Sequence, residues 1–279
     1  MKTFSKPSDA IKWTKDKLFN HGYVVKTEKW QGIPFPDDML EIMNHSFQFT
    51  IPPTIEELVN EVKPNLEWAD EHFEERVGGS PLNPPPSHER WPFAQKNNHQ
   101  FGGDEKFSHS YPERIWPKYA AIEGSEPITD LDMEGIKNPN KIFIQKYPLS
   151  GIRFNYGDFE DVVKLMEKEP YTRQAYLPMW FPEDTGVVHG ERVPCSIGWH
   201  FIRRGEYLHV VYHIRSCDYV RHFRDDIYLA CRKLFWLLER LKVKDPSKWE
   251  GVIPGYFAMH ITSLHCFNKE KGILKQSRI

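Results

Sequence analysis

No stretch of this sequence approaches the length of a membrane-spanning helix. The N-terminal run MKTFSKPSDAIKWTKDKLF also lacks the apolar core of a secretory signal, so the chain is expected to be cytoplasmic. Cysteine is scarce. The four present among 279 residues, Cys195, Cys217, Cys231 and Cys266, include no CxxC pair. They read as reduced thiols, which excludes a disulfide framework and argues against a bound metal. Neither sign of charge dominates: 37 basic and 39 acidic residues leave a net charge of −2. Nucleic acid and membrane surfaces are therefore not expected as partners. No internal repeat is present. Large rings, in contrast, are plentiful, at 14% aromatic within a 39% hydrophobic chain, enough to bury a sizeable core.

Residues 8–20 suit a short opening helix and 38–51 a strand. The stretch 53–79, PTIEELVNEVKPNLEWADEHFEERVGG, predicts helix broken near Pro64. SPLNPPPSHERWPF (80–93) is proline-rich and runs into polar QKNNHQFGGDEK. It predicts a loop ordered as far as its aromatics anchor it, or otherwise a lid. The chain is expected to be a single domain over 1–279, with this insertion or lid around 80–106. DFEDVVKLMEKEP (158–170) is an amphipathic helix stopped by Pro170. YTRQAYLPMWF, CSIGWHFIRR and YLHVVYHIRS follow as strands, the last two joined by a turn at Gly205-Glu206. A buried helix over 226–243 and a strand from YFAMHITSLHCF close the pattern. Helix, three strands, central helix and strand make an α+β layered domain rather than a doubly wound nucleotide fold.

Cys195 has two readings. Free cysteine is among the most buried residue types, so a strand cysteine packed in the core is one. The other is a nucleophile: a thiolate adds readily to an electron-poor ring carbon, and nearby arginines favour the thiolate. Pro194-Cys195 at a strand start, with Arg215 one hairpin away, supplies that setting. Arg215 and Ser216 offer a guanidinium fork and a hydroxyl, which suit a phosphate. Asp226 can cap the helix that follows, although Asp225 can serve instead. A carboxyl there, when protonated, can also both donate and accept hydrogen bonds at the edge of a planar ring.

Five stretches in order carry a resemblance: EPYTRQAYLPMW, VPC, HIRSCD, the position of Asp226, and HITSLH, with Arg215 20 positions after Cys195. Together they resemble the thymidylate synthases and their relatives, the pyrimidine-nucleotide hydroxymethylases. The resemblance is close over 158–265 and loose before it. It implies a layered sheet with helices packed on it, two such sheets back to back in a homodimer with shared active sites.

It further implies that Cys195 adds to C6 of a pyrimidine nucleoside monophosphate, and that Arg215 and Ser216 hold its 5′-phosphate. Arg173 would be donated to that phosphate from the neighbouring subunit, although Gln174 stands where the family usually has a second arginine. Asp218 would make main-chain contacts beside the base. His260 would hold the sugar hydroxyl. Thr262 replaces the family's tyrosine there, which leaves ribose versus deoxyribose open, and His265 reads as structural. Tyr111 matches the tyrosine near the C5 proton. The catalytic glutamate is expected at Glu75, 36 residues before Tyr111, with Glu57 as fallback; Glu71 shares its helix face.

Asp226 stands where synthases carry an asparagine, and Ser196 where they usually carry a histidine. The expected reaction is therefore hydroxymethylation of dCMP at C5 with 5,10-methylenetetrahydrofolate. Thymidylate synthesis from dUMP, hydroxymethylation of CMP, methylation of dCMP and a non-enzymatic nucleotide- or RNA-binding role are the alternatives. Only 14 residues follow His265, so either stretch 80–93 closes over the folate or the one-carbon donor is held differently.

Overall fold

A mixed sheet carries the site. The computed structural model describes residues 1–30, 33–34, 37–91, 107, 109–118, 120, 157–181, 184 and 193–272. In chain order the elements are β1 (Lys2–Phe4), α1 (Pro7–His21), β2 (Tyr23–Val25), β3 (Lys29–Trp30), β4 (Ile33–Pro34), β5 (Met39–Thr50), α2 (Ile55–Val62), α3 (Leu66–Val77) and α4 (Tyr111–Ile115). Then come α5 (Phe159–Lys168), β6 (Tyr176–Pro178), β7 (Ser196–Arg204), β8 (Tyr207–Asp218), α6 (Phe223–Lys244), α7 (Pro246–Trp249) and β9 (Ile253–Phe267). Among the described residues the large sheet runs β1-β5-β9-β8-β7-β6, with β2 also on β5. β8 and β9 are parallel, so α6 is the crossover between them; β1 is also parallel to β5, whereas β5 with β2 and β9, β7 with β8, and β6 with β7 pair antiparallel.

Alternation in β8 explains how the sheet is buried. Leu208, Val210, Tyr212 and Ile214 point into the core, in register with Trp199 and Phe201 of β7 and Phe257 and Met259 of β9. Helices cover this face. Phe159 of α5 stacks on Phe201 (5.6 Å) and on Trp236 of α6 (4.7 Å), and Phe223 of α6 meets Phe47 of β5 edge-on at 5.8 Å. Emptying such a site costs about 3–5 kcal/mol, so Phe159 ties three elements together. The opposite face presents the partly exposed His200, His209, His213 and His260.

The expected α+β class is what forms. Three details differ from the sequence pattern. The strand expected over 171–181 shrinks to Tyr176–Pro178, an edge strand that ends at a residue unable to donate to the ladder. The helix expected from 226 starts at Phe223. The proline-rich stretch forms a 3-10 turn over Pro86–Arg90 and ends with Trp91 stacked on His222 at 5.1 Å; residues 92–106 lie outside the described part. The tight β7–β8 turn uses Gly205 at φ 59°, a left-handed conformation that glycine adopts without strain.

Candidate active site

Cys195 sits immediately before β7, opposite Arg215 of β8. Arg215 is locked onto it by three bonds: its amide donates to the Cys195 carbonyl (2.9 Å), its Nε to the Pro194 carbonyl (2.8 Å) and its Nη2 to the Val193 carbonyl (3.0 Å). The same Nη2 lies 4.0 Å from Cys195 Sγ, and the guanidinium rests 5.6 Å above the Trp180 ring. A cation fixed beside sulfur is the setting that favours thiolate. Of the four thiols only Cys195 reaches solvent; Cys217, Cys231 and Cys266 are buried. Burial pushes those three upward in pKa, Cys266 to about 12, so they stay protonated.

A register shift between Ser196 and Gly198 turns the start of β7 inward. The Ser196 hydroxyl then meets the Tyr212 hydroxyl at 2.6 Å and donates to the Tyr111 hydroxyl at 3.2 Å. Tyr212 in turn donates to Asp226 Oδ1 at 3.5 Å, and the Cys217 thiol faces Oδ2 at 3.7 Å. A polar chain thus runs from Tyr111, next to the nucleophile candidate, to the first turn of α6. Burial raises Tyr111 to about 12 and pushes Tyr212 well above the usual phenol range, so both phenols keep their protons at neutral pH.

Asp226 is pushed up to about 7, chiefly by burial, with Arg76 opposing and Asp225 reinforcing the rise. It nevertheless keeps partial solvent exposure, as do Cys195 and Tyr111, while Tyr212, Ser196 and Cys217 between them are buried. The three partly exposed groups are thus linked through this buried hydroxyl chain. A thiol beside a guanidinium, a phenol and an acid that titrates near neutrality can add to, orient and exchange protons with a small planar ring.

No protein-family model matches the chain, and no curated protein is similar to it in sequence. Solved structures do match. Thermostable thymidylate synthase A from Bacillus subtilis superposes with a TM-score of 0.63 over 97% of this chain and 83% of that one, at 13% identity. The chain has the thymidylate synthase fold.

On this thymidylate synthase fold, the structure brings Cys195, Arg215, Tyr111 and Asp226 together, and leaves other expected residues elsewhere. Ser216 follows Arg215, partly exposed. Arg173 is exposed in the turn before β6, its carbonyl accepting from His200 Nε2 at 3.0 Å. The Asp218 carboxylate holds the turn it begins: Oδ1 accepts from the Val220 and Arg221 amides at 2.9 and 3.2 Å. His260 is on the partly exposed sheet face, stacked on His213 at 5.0 Å.

Glu75 is bound rather than open, accepting from the Ser87 amide and hydroxyl at 2.5 Å each and lying 3.2 Å from His72 Nδ1. That clamp fastens the proline-rich stretch to α3. Glu57 is exposed on α2, and Glu71 pairs with Arg90 at 3.4 Å. His265 is buried against Phe267. Neither aspartate caps α6, whose N-cap is His222. Asp226 lies within its first turn, and Asp225 accepts from the Asn65 amide at the head of α3 at 2.8 Å.

Sequence reasoning missed Arg76, Tyr212 and Lys233. The signal for two of them was a charge on an apolar face: Arg76 lines up with Trp68, Ala69, His72 and Phe73, and Lys233 with Leu229, Leu234 and Leu237. Among the described residues no cluster of His, Cys, Asp and Glu could hold a metal ion, and no helix is long and apolar enough to cross a membrane.

Proposed function

We propose that the protein transfers a one-carbon unit to C5 of a pyrimidine nucleotide, and that it is a dCMP hydroxymethylase drawing on 5,10-methylenetetrahydrofolate. The observation that carries this reading is the Asp226 carboxyl, raised to about 7 by burial and joined through Tyr212 and Ser196 to Tyr111, beside the only accessible thiol. Asparagine's place in the synthases is taken here by an acid that holds a proton near neutrality. A protonated carboxyl can donate to cytosine N3 while its carbonyl oxygen accepts from N4.

In this scheme the Cys195 thiolate adds to C6, which moves electron density onto C5. Arg215 and Ser216 hold the 5′-phosphate at the mouth. Tyr111 takes part in removing the C5 proton through the hydroxyl it shares with Ser196. C5 then takes up the one-carbon unit, and loss of the C5 proton together with the carrier amine leaves an exocyclic methylene while Cys195 stays on C6. Water adds to that methylene and Cys195 departs last, with Glu75 ordering the water through His72, whose ring meets Tyr111 edge-on at 6.4 Å.

Folate supplies the carbon at the oxidation level of formaldehyde. One feature fits a planar pterin near Asp226: Trp91 and His222 form an aromatic wall at the head of α6. The partly exposed face of the sheet is the proposed homodimer contact, through which Arg173 of one subunit would reach the phosphate of the other.

Tritium release from 5-tritiated dCMP tests the reading, because only addition at C6 makes the C5 hydrogen labile. Release by the native protein and none by Cys195→Ser is expected. No release with any pyrimidine nucleotide would leave a nucleotide-binding relative without the chemistry.

A further inference from the structure

Ser196 and Tyr212 carry hydroxyls where an alanine and a phenylalanine would fill the same space. They are 0% and 1% exposed, and a buried hydroxyl is costly unless hydrogen-bonded. Ser196 directly follows the nucleophile candidate, and the Tyr212 ring lies flat on Trp199 at 5.1 Å. Their oxygens are 2.6 Å apart. Each also reaches one partly exposed group, Ser196 meeting the Tyr111 hydroxyl at 3.2 Å and Tyr212 meeting Asp226 Oδ1 at 3.5 Å. Both ends are held: the Ser196 amide donates to the Tyr111 oxygen at 3.4 Å, and the Cys217 thiol faces Asp226 Oδ2 at 3.7 Å. The Asp226 link is the longest of the chain, as catalytic hydrogen bonds often are before a ligand arrives.

Such a chain has a direction. A hydroxyl proton rotates to suit its partners, and the 2.6 Å contact needs one proton between its oxygens. The links therefore point the same way at any moment, toward Asp226 when it is a carboxylate and toward Tyr111 when it is an acid. Switching from one sense to the other carries one proton along the whole chain. Burial keeps both phenols protonated, so neither is a base by itself. A phenol that hands on its proton while receiving another never becomes a tyrosinate.

We propose that Ser196 and Tyr212 are positioning residues that relay a proton between Tyr111 and Asp226. Its use at C5 rests on the function proposed above; the relay itself does not. When Cys195 adds to C6, the electron pair arriving at C5 takes up the Tyr111 proton. Ser196 then gives its proton to Tyr111, Tyr212 to Ser196 and Asp226 to Tyr212, which leaves a carboxylate. Removal of a C5 proton runs these steps backward. The C5–H electron pair becomes a double bond to C5 as Cys195 or the carrier amine departs, and the proton arrives at Asp226. Among the four groups only Asp226 changes charge.

Other groups act on the two ends. Arg76, Asp225, the Cys217 thiol and Lys233, which burial drives toward its neutral form, influence Asp226. Cys195, Arg76, His72 and His109 lie about Tyr111. None of them is a link of the chain, so their influence persists when one of its hydroxyls is deleted.

Tyr212→Phe and Ser196→Ala each remove one hydroxyl and keep the packing, the first retaining the ring on Trp199. In the ligand-free protein, carbon-13 at Tyr111 Cζ and at the Asp226 carboxyl is followed against pH by NMR. The native Tyr111 resonance is expected to move with Asp226, at a midpoint of about 7, because its hydroxyl turns from acceptor to donor. In both variants Asp226 should still titrate while Tyr111 loses most of that movement. The second readout is exchange of the dCMP C5 hydrogen with deuterated water, which needs no folate. It should slow by about a hundredfold or more in either variant, at unchanged dCMP affinity. A Tyr111 resonance that ignores Asp226 in the native protein, or follows it equally in both variants, overturns the proposal. So does an exchange rate in both variants that matches a measurable native one. Coupling lost in the variants, beside a native protein that exchanges no pyrimidine nucleotide, upholds the relay while removing the function proposed above.

Discussion

Replacing Asp226 by asparagine separates the acid's cost to the fold from its value to the site. In the folded chain burial lifts this carboxyl from 3.8 to about 7, a little over three units. At about 1.4 kcal/mol per unit, that is at most about 4 kcal/mol, and less because water partly reaches the side chain. Because the folded pKa is the higher one, the folded state binds the proton more tightly. The associated stability is fully present below pH 3.8 and is lost as pH rises through about 7. An amide at this position does not titrate, so Asp226→Asn should match the wild type near pH 4 and exceed it near pH 8 by up to about 4 kcal/mol. Urea unfolding at a series of pH values measures this.

At the base, the amide should shift preference from dCMP toward dUMP. Cytosine and uracil exchange donor for acceptor at both N3 and the exocyclic atom, and each unmet buried group costs about 1–3 kcal/mol. Two such groups can move the kcat/KM ratio by several hundredfold. Identical pH slopes for the two proteins, or an unmoved nucleotide ratio, would refute the reasoning.

Cys195→Ser should abolish turnover yet leave nucleotide affinity nearly intact, since phosphate and base contacts lie elsewhere; isothermal titration beside a product assay checks both halves. Arg215→Ala should weaken nucleotide binding by about 2–5 kcal/mol. It also frees the carbonyls of Val193 and Pro194, so a loss of thiol reactivity toward iodoacetamide should accompany the weaker binding. Arg173→Ala alone should bind nucleotide poorly, whereas mixing it with the Cys195→Ser protein should restore activity through hybrid dimers. Absence of rescue would place Arg173 outside a shared site.

The pairing of Cys195 with Arg215 was legible because one hairpin connects them. Alternating strands of fixed length around Gly205 set their register, and a separation of 20 positions sets the match. Asp226 was legible by counting from Asp218, but its neighbours were not. Arg76 and Lys233 are 157 positions apart, and only the packing of α3 against α6 brings them into one buried neighbourhood. On a helix pattern a lone Lys among leucines reads as a solvated edge, yet here it is fully enclosed.

Glu75 shows the converse. Its spacing from Tyr111 was visible, whereas the Ser87 amide and hydroxyl that hold it depend on how the proline-rich stretch folds back. Asp218 was likewise expected beside the base, and its role in closing the 218–221 turn needs Arg221 and Glu270, whose 2.6 Å ion pair is tertiary. Pattern reveals what adjacent strands share; it does not reveal which distant helices converge.

The central claim is that a Cys195-dependent reaction adds one carbon to C5 of a cytosine nucleotide. Mass spectrometry of the products from dCMP, dUMP and CMP, each incubated with the protein and 5,10-methylenetetrahydrofolate, tests it most directly. The account predicts that dCMP gains the mass of one formaldehyde unit, that dUMP is essentially unchanged, and that Cys195→Ser yields neither product. A methylated product from dUMP, or an unaltered mass for all three nucleotides, would contradict it.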